Sequence, residues 1–267
     1  MISKLKLIPL VLFSCLLCFS TFAGAQDFEG THLSSEALPY GSPPFTYEGS
    51  RLLLITFKTT PGVLRAMVPE PLVPNPESIM NILVIDQHII HPEKIIYLEA
   101  ILSVPVSHDG LAASYMPVLY LDKVIPIIGG REIWGYSKVE AEIQMSIKDK
   151  IASATVVRNG TTLIDMKVQL GEPVVPIPKM QNNPNINLKL IPSVKKGAPP
   201  DVKQLTTTVS RNVKTHLLRN GSGKLVLGSL PSDPLGTIPV VDIVDARYME
   251  RDFVLDYGDV VYDYLRQ

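Results

Sequence analysis

The chain has 267 residues, 46% of them hydrophobic, with 25 basic against 26 acidic side chains and a formal net charge of −1. No long run of either sign is present, which argues against a nucleic-acid partner that would need a basic face. Both cysteines, Cys15 and Cys18, fall within the first 25 residues, so the remainder can build no disulfide framework, thiolate metal site or cysteine nucleophile.

Lys4 and Lys6 form a basic start, Leu7 to Phe22 is almost wholly apolar, and Ala23-Gly24-Ala25 gives a small-x-small cleavage pattern before Gln26. Residues 1–25 therefore read as a signal peptide and 26–267 as one exported domain, periplasmic or secreted. The apolar segment is too short, and too closely followed by polar sequence, to argue for a membrane span. Its removal leaves 242 residues carrying 23 basic and 26 acidic side chains.

After Gln26 the chain reads mainly as strands. Arg51–Lys58 is the first. Thr60-Pro61 then looks like an N-cap with a first-turn proline, opening a short helix through Met67 that Pro69 ends. Asn81–Ile90 and Lys94–Val106 follow as strands. Glu142–Lys148 and Thr162–Leu170 alternate apolar and polar residues with period two, the mark of a half-buried strand, and Arg158-Asn159-Gly160 between them has hairpin-turn chemistry. Ile186–Ile191, Leu205–Lys214, Lys224–Leu227, Val240–Ala246 and Met249–Leu255 complete the strands, and a short helix is expected around Asp259–Leu265. Most prolines fall between these runs and mark loops. The expected fold is mainly β: a single-domain, mostly antiparallel β-barrel or sandwich with few short helices.

Several chemistries drop out. There is no G-x-S-x-G nucleophile elbow. Asn220-Gly-Ser-Gly-Lys224 lacks the leading glycine and the metal-holding hydroxyl of a phosphate loop. His88, His91 and Glu93 lie in an extended segment, where that spacing does not converge on a metal. Two positions say more. In Lys94–Val106, Leu98, Ala100, Leu102 and Val104 form an aliphatic face, yet Glu99 shares the other face with Tyr97 and Ile101. If both faces are covered, Glu99 is buried and needs a partner; it is either a structural ion pair or a functional carboxylate. Trp134, Tyr136 and Lys138 project to one side of an extended chain. Lys138 is then either a solvated strand lysine or an amine walled off by aromatic rings.

The stretch Gly130-Arg-Glu-Ile-Trp-Gly-Tyr-Ser-Lys138 resembles the lysine motif of the acetoacetate decarboxylase family, where G-R-E, a tyrosine and a Schiff-base lysine occur at this spacing. Tyr97-Leu98-Glu99 followed by Val104-Pro105-Val106 is similar to the segment carrying that family's essential glutamate. Tyr120-Leu121-Asp122, Val68-Pro69-Glu70-Pro71-Leu72, Leu188–Pro192 and Val261–Leu265 match further segments, so the resemblance runs from about Pro39 to the end. It implies Lys138 as nucleophile, Glu99 as acid–base or positioning carboxylate, Arg51 as its charged partner, and Tyr136 with Trp134 lining the substrate pocket. It also implies a β-barrel, a homo-oligomer, a small β-keto acid as substrate, and neither metal nor organic cofactor. Val139 stands where known members carry a second lysine, and Ser137 where they carry proline. A second family carboxylate falls near Val84, with Asp86 close by. The implied activity is Schiff-base decarboxylation of acetoacetate or a related β-keto acid. The alternatives are another lysine Schiff-base reaction, such as aldol condensation–dehydration, and an exported binding protein without turnover.

Overall fold

A computed structural model describes residues 37–266; the expected signal peptide and residues 26–36 lie outside the described residues. In chain order the strands are β1 (Phe45–Lys58), β2 (Val73–Pro74), β3 (Ile79–His91), β4 (Ile95–His108), β5 (Leu111–Leu121), β6 (Lys138–Glu140), β7 (Glu142–Lys148), β8 (Ile151–Arg158) and β9 (Thr161–Pro173). They continue as β10 (Asn185–Ile191), β11 (Val202–Thr208), β12 (Ser210–Leu227), β13 (Asp242–Leu255) and β14 (Asp259–Asp263). Two short helices interrupt them, α1 (Pro61–Met67) and α2 (Val124–Gly129).

All strands join one sheet in the order β14-β11-β10-β5-β4-β3-β1-β13-β12-β9-β8-β7, with β2 on β4 and β6 on β5. Pairing is antiparallel except where β5 meets β10 and β6. The sheet does not close by hydrogen bonds, but it curls until β7 packs against β3, β4 and β5. Curling encloses a main core on the inner face, in which Leu53, Phe57, Val84, Leu102, Val156 and Met166 are buried. A second cluster covers part of the outer face, drawing Leu52 from β1, Ile85 from β3, Tyr97 and Ile101 from β4, and Met249 and Phe253 from β13. The central strands are thus buried on both sides, which is why Lys94–Val106 carries apolar residues on both of its faces.

α1 starts and stops where its signals place it, with Pro61 in the first turn and the chain extended again at Val68. Asn159 and Gly160 both have positive φ, 48° and 73°, as a two-residue hairpin turn of this hand requires. That turn joins β8 to β9; β8 is an additional strand, pairing with β7 on its other side. β5 has no alternation because it is buried between β4 and its neighbours, and its Pro117 sits in an irregularity of the β4 pairing between Leu102/Val118 and Val104/Tyr115. Asp259–Asp263 forms a strand against β11, where a helix is expected from sequence. The aromatic Tyr262 and Tyr264, in T-shaped contact at 4.8 Å, suit a strand edge and outweigh the weak helical pattern.

Candidate active site

The segment from α2 to β6 is compactly wound, in contrast to the extended chain expected from the sequence. Residues Gly130–Trp134 continue α2 as a π-helical turn, Gly135 ends it in the left-handed region at φ 77°, and strand pairing resumes only at Lys138 beside Leu119. The Gly135 amide donates to Arg131 O (3.1 Å) and the Tyr136 amide to Gly130 O (3.1 Å), which closes the turn. Arg131 Nη1 donates to Lys138 O at 3.1 Å and pins the start of β6. Trp134 and Tyr136 still reach the same outer cluster, with ring centroids 5.9 Å apart.

Two glycines are required by close approach. A Cβ on Gly130 would lie 2.6 Å from Lys138 Cδ and 2.9 Å from its Nζ, so the lysine side chain lies directly over that backbone. A Cβ on Gly135 would lie 2.3 Å from Lys189 Cβ and 2.5 Å from its Cα.

Lys138 and Glu99 face each other inside the cluster. Their side chains are 7% and 5% exposed, and Nζ stands 3.1 Å from Oε1. That contact is an ion pair without hydrogen-bond alignment, so Oε1 keeps an unfilled acceptor position. Nζ also donates to Pro126 O at 3.3 Å and lies 5.2 Å from the Tyr136 ring centre and 5.9 Å from that of Tyr97. Glu99 Oε2 accepts from Gln87 Nε2 at 3.3 Å, while Gln87 Oε1 is buried without a partner.

The surrounding phenols are held neutral. Burial raises Tyr136 to about 12, against the opposing effect of its Thr208 hydrogen bond (2.8 Å), and nearby Glu99 raises it further. Burial likewise pushes Tyr47 and Tyr97 above the ordinary phenol value, and the two hydroxyls lie 3.5 Å apart. Trp134 donates from Nε1 to Asp256 O at 3.0 Å and meets Phe45 edge to face at 5.7 Å. Val174, Ile177 and Met180, from the connection between β9 and β10, pack against the cluster.

The family model for acetoacetate decarboxylase matches residues 31–265. The chain belongs to the acetoacetate decarboxylase family. A protein named acetoacetate decarboxylase from Paraburkholderia phytofirmans is 32% identical over 242 residues, covering 88% of this chain and 92% of its own length. The crystal structure of acetoacetate decarboxylase from Legionella pneumophila superposes with a TM-score of 0.78 at 23% identity, covering 89% of this chain and 95% of that one. The enduracididine biosynthesis enzyme MppR, bound to the condensation product of pyruvate and imidazole 4-carboxaldehyde, shares the fold with a TM-score of 0.73 at 14% identity, covering 84% and 91%.

Of the residues singled out in the acetoacetate decarboxylase motifs, the structure brings together Lys138, Glu99, Tyr136 and Trp134. Arg51 is elsewhere. Leu52 belongs to the outer cluster and Leu53 to the main core, so Arg51 sits on the face away from Glu99. It forms its ion pair with Asp86, whose other oxygen is 3.1 Å from His88 Nε2. The expectation that Arg51 partners Glu99 is corrected: the cation at Glu99 is Lys138 itself. Asp86 shares its face with Val84 and does not replace a second carboxylate beside Glu99. Sequence reading missed Gln87. Its only signal is parity, since Gln87 shares with Ile85 the face that meets Tyr97 and Glu99 on β4.

Proposed function

We propose that the protein is a carboxy-lyase that decarboxylates acetoacetate or a related β-keto acid through a Schiff base on Lys138. The observation that carries this reading is the buried Nζ of Lys138, 3.1 Å from Glu99 Oε1 inside a wall of aromatic rings, in a chain of the acetoacetate decarboxylase family. Glu99 is within proton-transfer reach of Nζ and has acceptor capacity to spare. Transfer of a proton to Oε1 frees the lone pair on Nζ, which attacks the substrate ketone. Loss of water gives a protonated imine, a chemistry for which acetoacetate decarboxylase is itself a standing example. The electrons of the breaking C–C bond move into that imine as CO2 leaves. The resulting enamine takes a proton on carbon, and water then releases the ketone and restores the amine.

The aromatic wall serves this sequence in two ways. It excludes bulk water from the imine, and its neutral phenols add no charge that would compete with Glu99. Gln87 holds Glu99 from the side opposite Lys138.

Borohydride reduction in the presence of acetoacetate, followed by peptide mass spectrometry, tests the reading. One adduct per chain is expected on the peptide containing Lys138, with CO2 released in its absence, and Lys138→Ala should abolish both. An adduct without CO2 release would point to another Schiff-base reaction. No adduct would remove covalent catalysis altogether. We further propose export, with a mature chain beginning at Gln26; intact-mass measurement after expression in an exporting host should show the loss of residues 1–25.

A further inference from the structure

β13 contributes to the outer cluster that surrounds Lys138, with its faces cleanly divided. Met249, Phe253 and Leu255 belong to the outer cluster, while Ala246 and Tyr248 belong to the main core. Arg251 lies between Met249 and Phe253 and shares their face. Its guanidinium sits over the Phe253 ring, 5.0 Å from the centroid. Phe253 stacks on Tyr47 at 4.3 Å, Tyr47 reaches Tyr97 through their hydroxyls, and Lys138 Nζ lies 5.9 Å from the Tyr97 ring centre. One continuous aromatic wall therefore runs from Arg251 to Lys138.

Arg251 stands apart from the other arginines. Among the described residues, Arg51, Arg158, Arg211, Arg247 and Arg266 each face a carboxylate. Arg65, Arg131 and Arg219 each donate to backbone carbonyls. Among the described residues Arg251 has neither: its Nε is sealed from solvent with no acceptor, and its guanidinium rests on the Phe253 ring. Burial lowers its pKa to about 10 with no contribution from any charged neighbour, so it remains a cation at neutral pH. A part-buried guanidinium without a counter-ion is unfavourable by itself and suits a site that takes up an anion.

Which anion follows from the reaction, and here the argument rests on the Schiff-base reading. The carboxylate that departs as CO2 loses its negative charge on the way to the transition state. A cation bound to it would stabilise the ground state more than the transition state and slow the reaction. A cation helps when it holds a group that keeps its charge throughout. We propose that Arg251 anchors a second, retained carboxylate, so that the site takes β-keto dicarboxylic acids with the ketone at Lys138 and the far carboxylate at Arg251.

Two measurements test this, the first without any turnover. Calorimetry on the full chain compares glutarate with pentanoate, non-reacting acids of equal length that differ by one carboxylate. Glutarate should bind about tenfold to a hundredfold more tightly, the range for charge-assisted hydrogen bonds, and Arg251→Met should erase the difference. The second measurement compares kcat/KM for 3-oxoadipate and 3-oxohexanoate. The ratio between them should fall at least about tenfold in Arg251→Met and by less in Arg251→Lys, which keeps the charge. Equal binding of the two acids by the unmodified protein, or equal losses for both keto acids in the variant, would overturn the proposal. Arg251-dependent glutarate binding without a borohydride adduct on Lys138 would uphold the anion site and remove the Schiff-base reading instead.

Discussion

At Lys138 the decisive neighbour is Glu99, and each is nearly sealed by the same cluster. Glu99→Gln keeps the shape and the Gln87 contact but removes the proton acceptor. Turnover should fall by about 100-fold or more while the protein still folds, as judged by circular dichroism and melting temperature. Near-wild-type activity would make Glu99 purely structural, and an unfolded variant would show that the ion pair is needed for stability instead. Gly130→Ala probes the same geometry from beneath. The added methyl would overlap the Lys138 side chain, whose far end is flexible, so the fold should survive while Nζ is displaced from Glu99. The expected outcome is a large loss of kcat with little change in melting temperature.

The turn that delivers Lys138 depends on Gly135. Its φ of 77° is costly for any residue with a Cβ, and that Cβ would strike the backbone and side chain of Lys189 on β10. Unlike the lysine over Gly130, this obstacle is a strand that cannot move. Gly135→Ala should therefore destabilise the protein by more than about 1 kcal/mol, measurable by urea unfolding, and should lower activity as well. Retention of full stability would mean that the strand and turn can separate without loss. Trp134 supports the same turn from the other side, where its carbonyl accepts from Thr206 Oγ1 at 2.5 Å.

Across the whole molecule, one buried carboxylate ties distant parts of the curled sheet. Asp233, 7% exposed, accepts from Tyr120 on β5 (2.9 Å) and from Ser232 (2.6 Å), and pairs with Arg158 at the end of β8. Burial alone would raise its pKa, but the hydrogen bonds from Ser232, Tyr120 and Arg158 outweigh burial and hold it below the ordinary carboxylate value. A depressed carboxylate contributes stability that is complete above its unfolded value and is lost as pH falls through the folded one. Urea midpoints should therefore drop as pH falls below about 4. Asp233→Asn should flatten that part of the profile and cost about 3 kcal/mol at pH 7, the lower end for breaking a buried pair because Arg158 is 26% exposed. An unchanged acid limb in the variant would assign the loss to other carboxylates.

Local pattern alone determined most strands, the α1 helix and the Asn159-Gly160 turn, whereas the roles expected of Lys138 and Glu99 came from the resemblance to the acetoacetate decarboxylase family. Those features depend on side-chain alternation, proline and glycine, which act within a few residues of chain. β5 and the outer cluster were not legible, because a strand covered on both faces carries no alternation to read. The same limit hid the partners. Arg51 and Gln87 are both polar residues in apolar strands, and only the pairing of β1, β3 and β4 decides that Arg51 faces away while Gln87 reaches Glu99. Arg251 is the extreme case. In sequence it is one charge among Glu250 and Asp252, and only the burial of one face of β13 leaves it alone against an aromatic wall, because neighbouring residues on a strand point to opposite sides of the sheet.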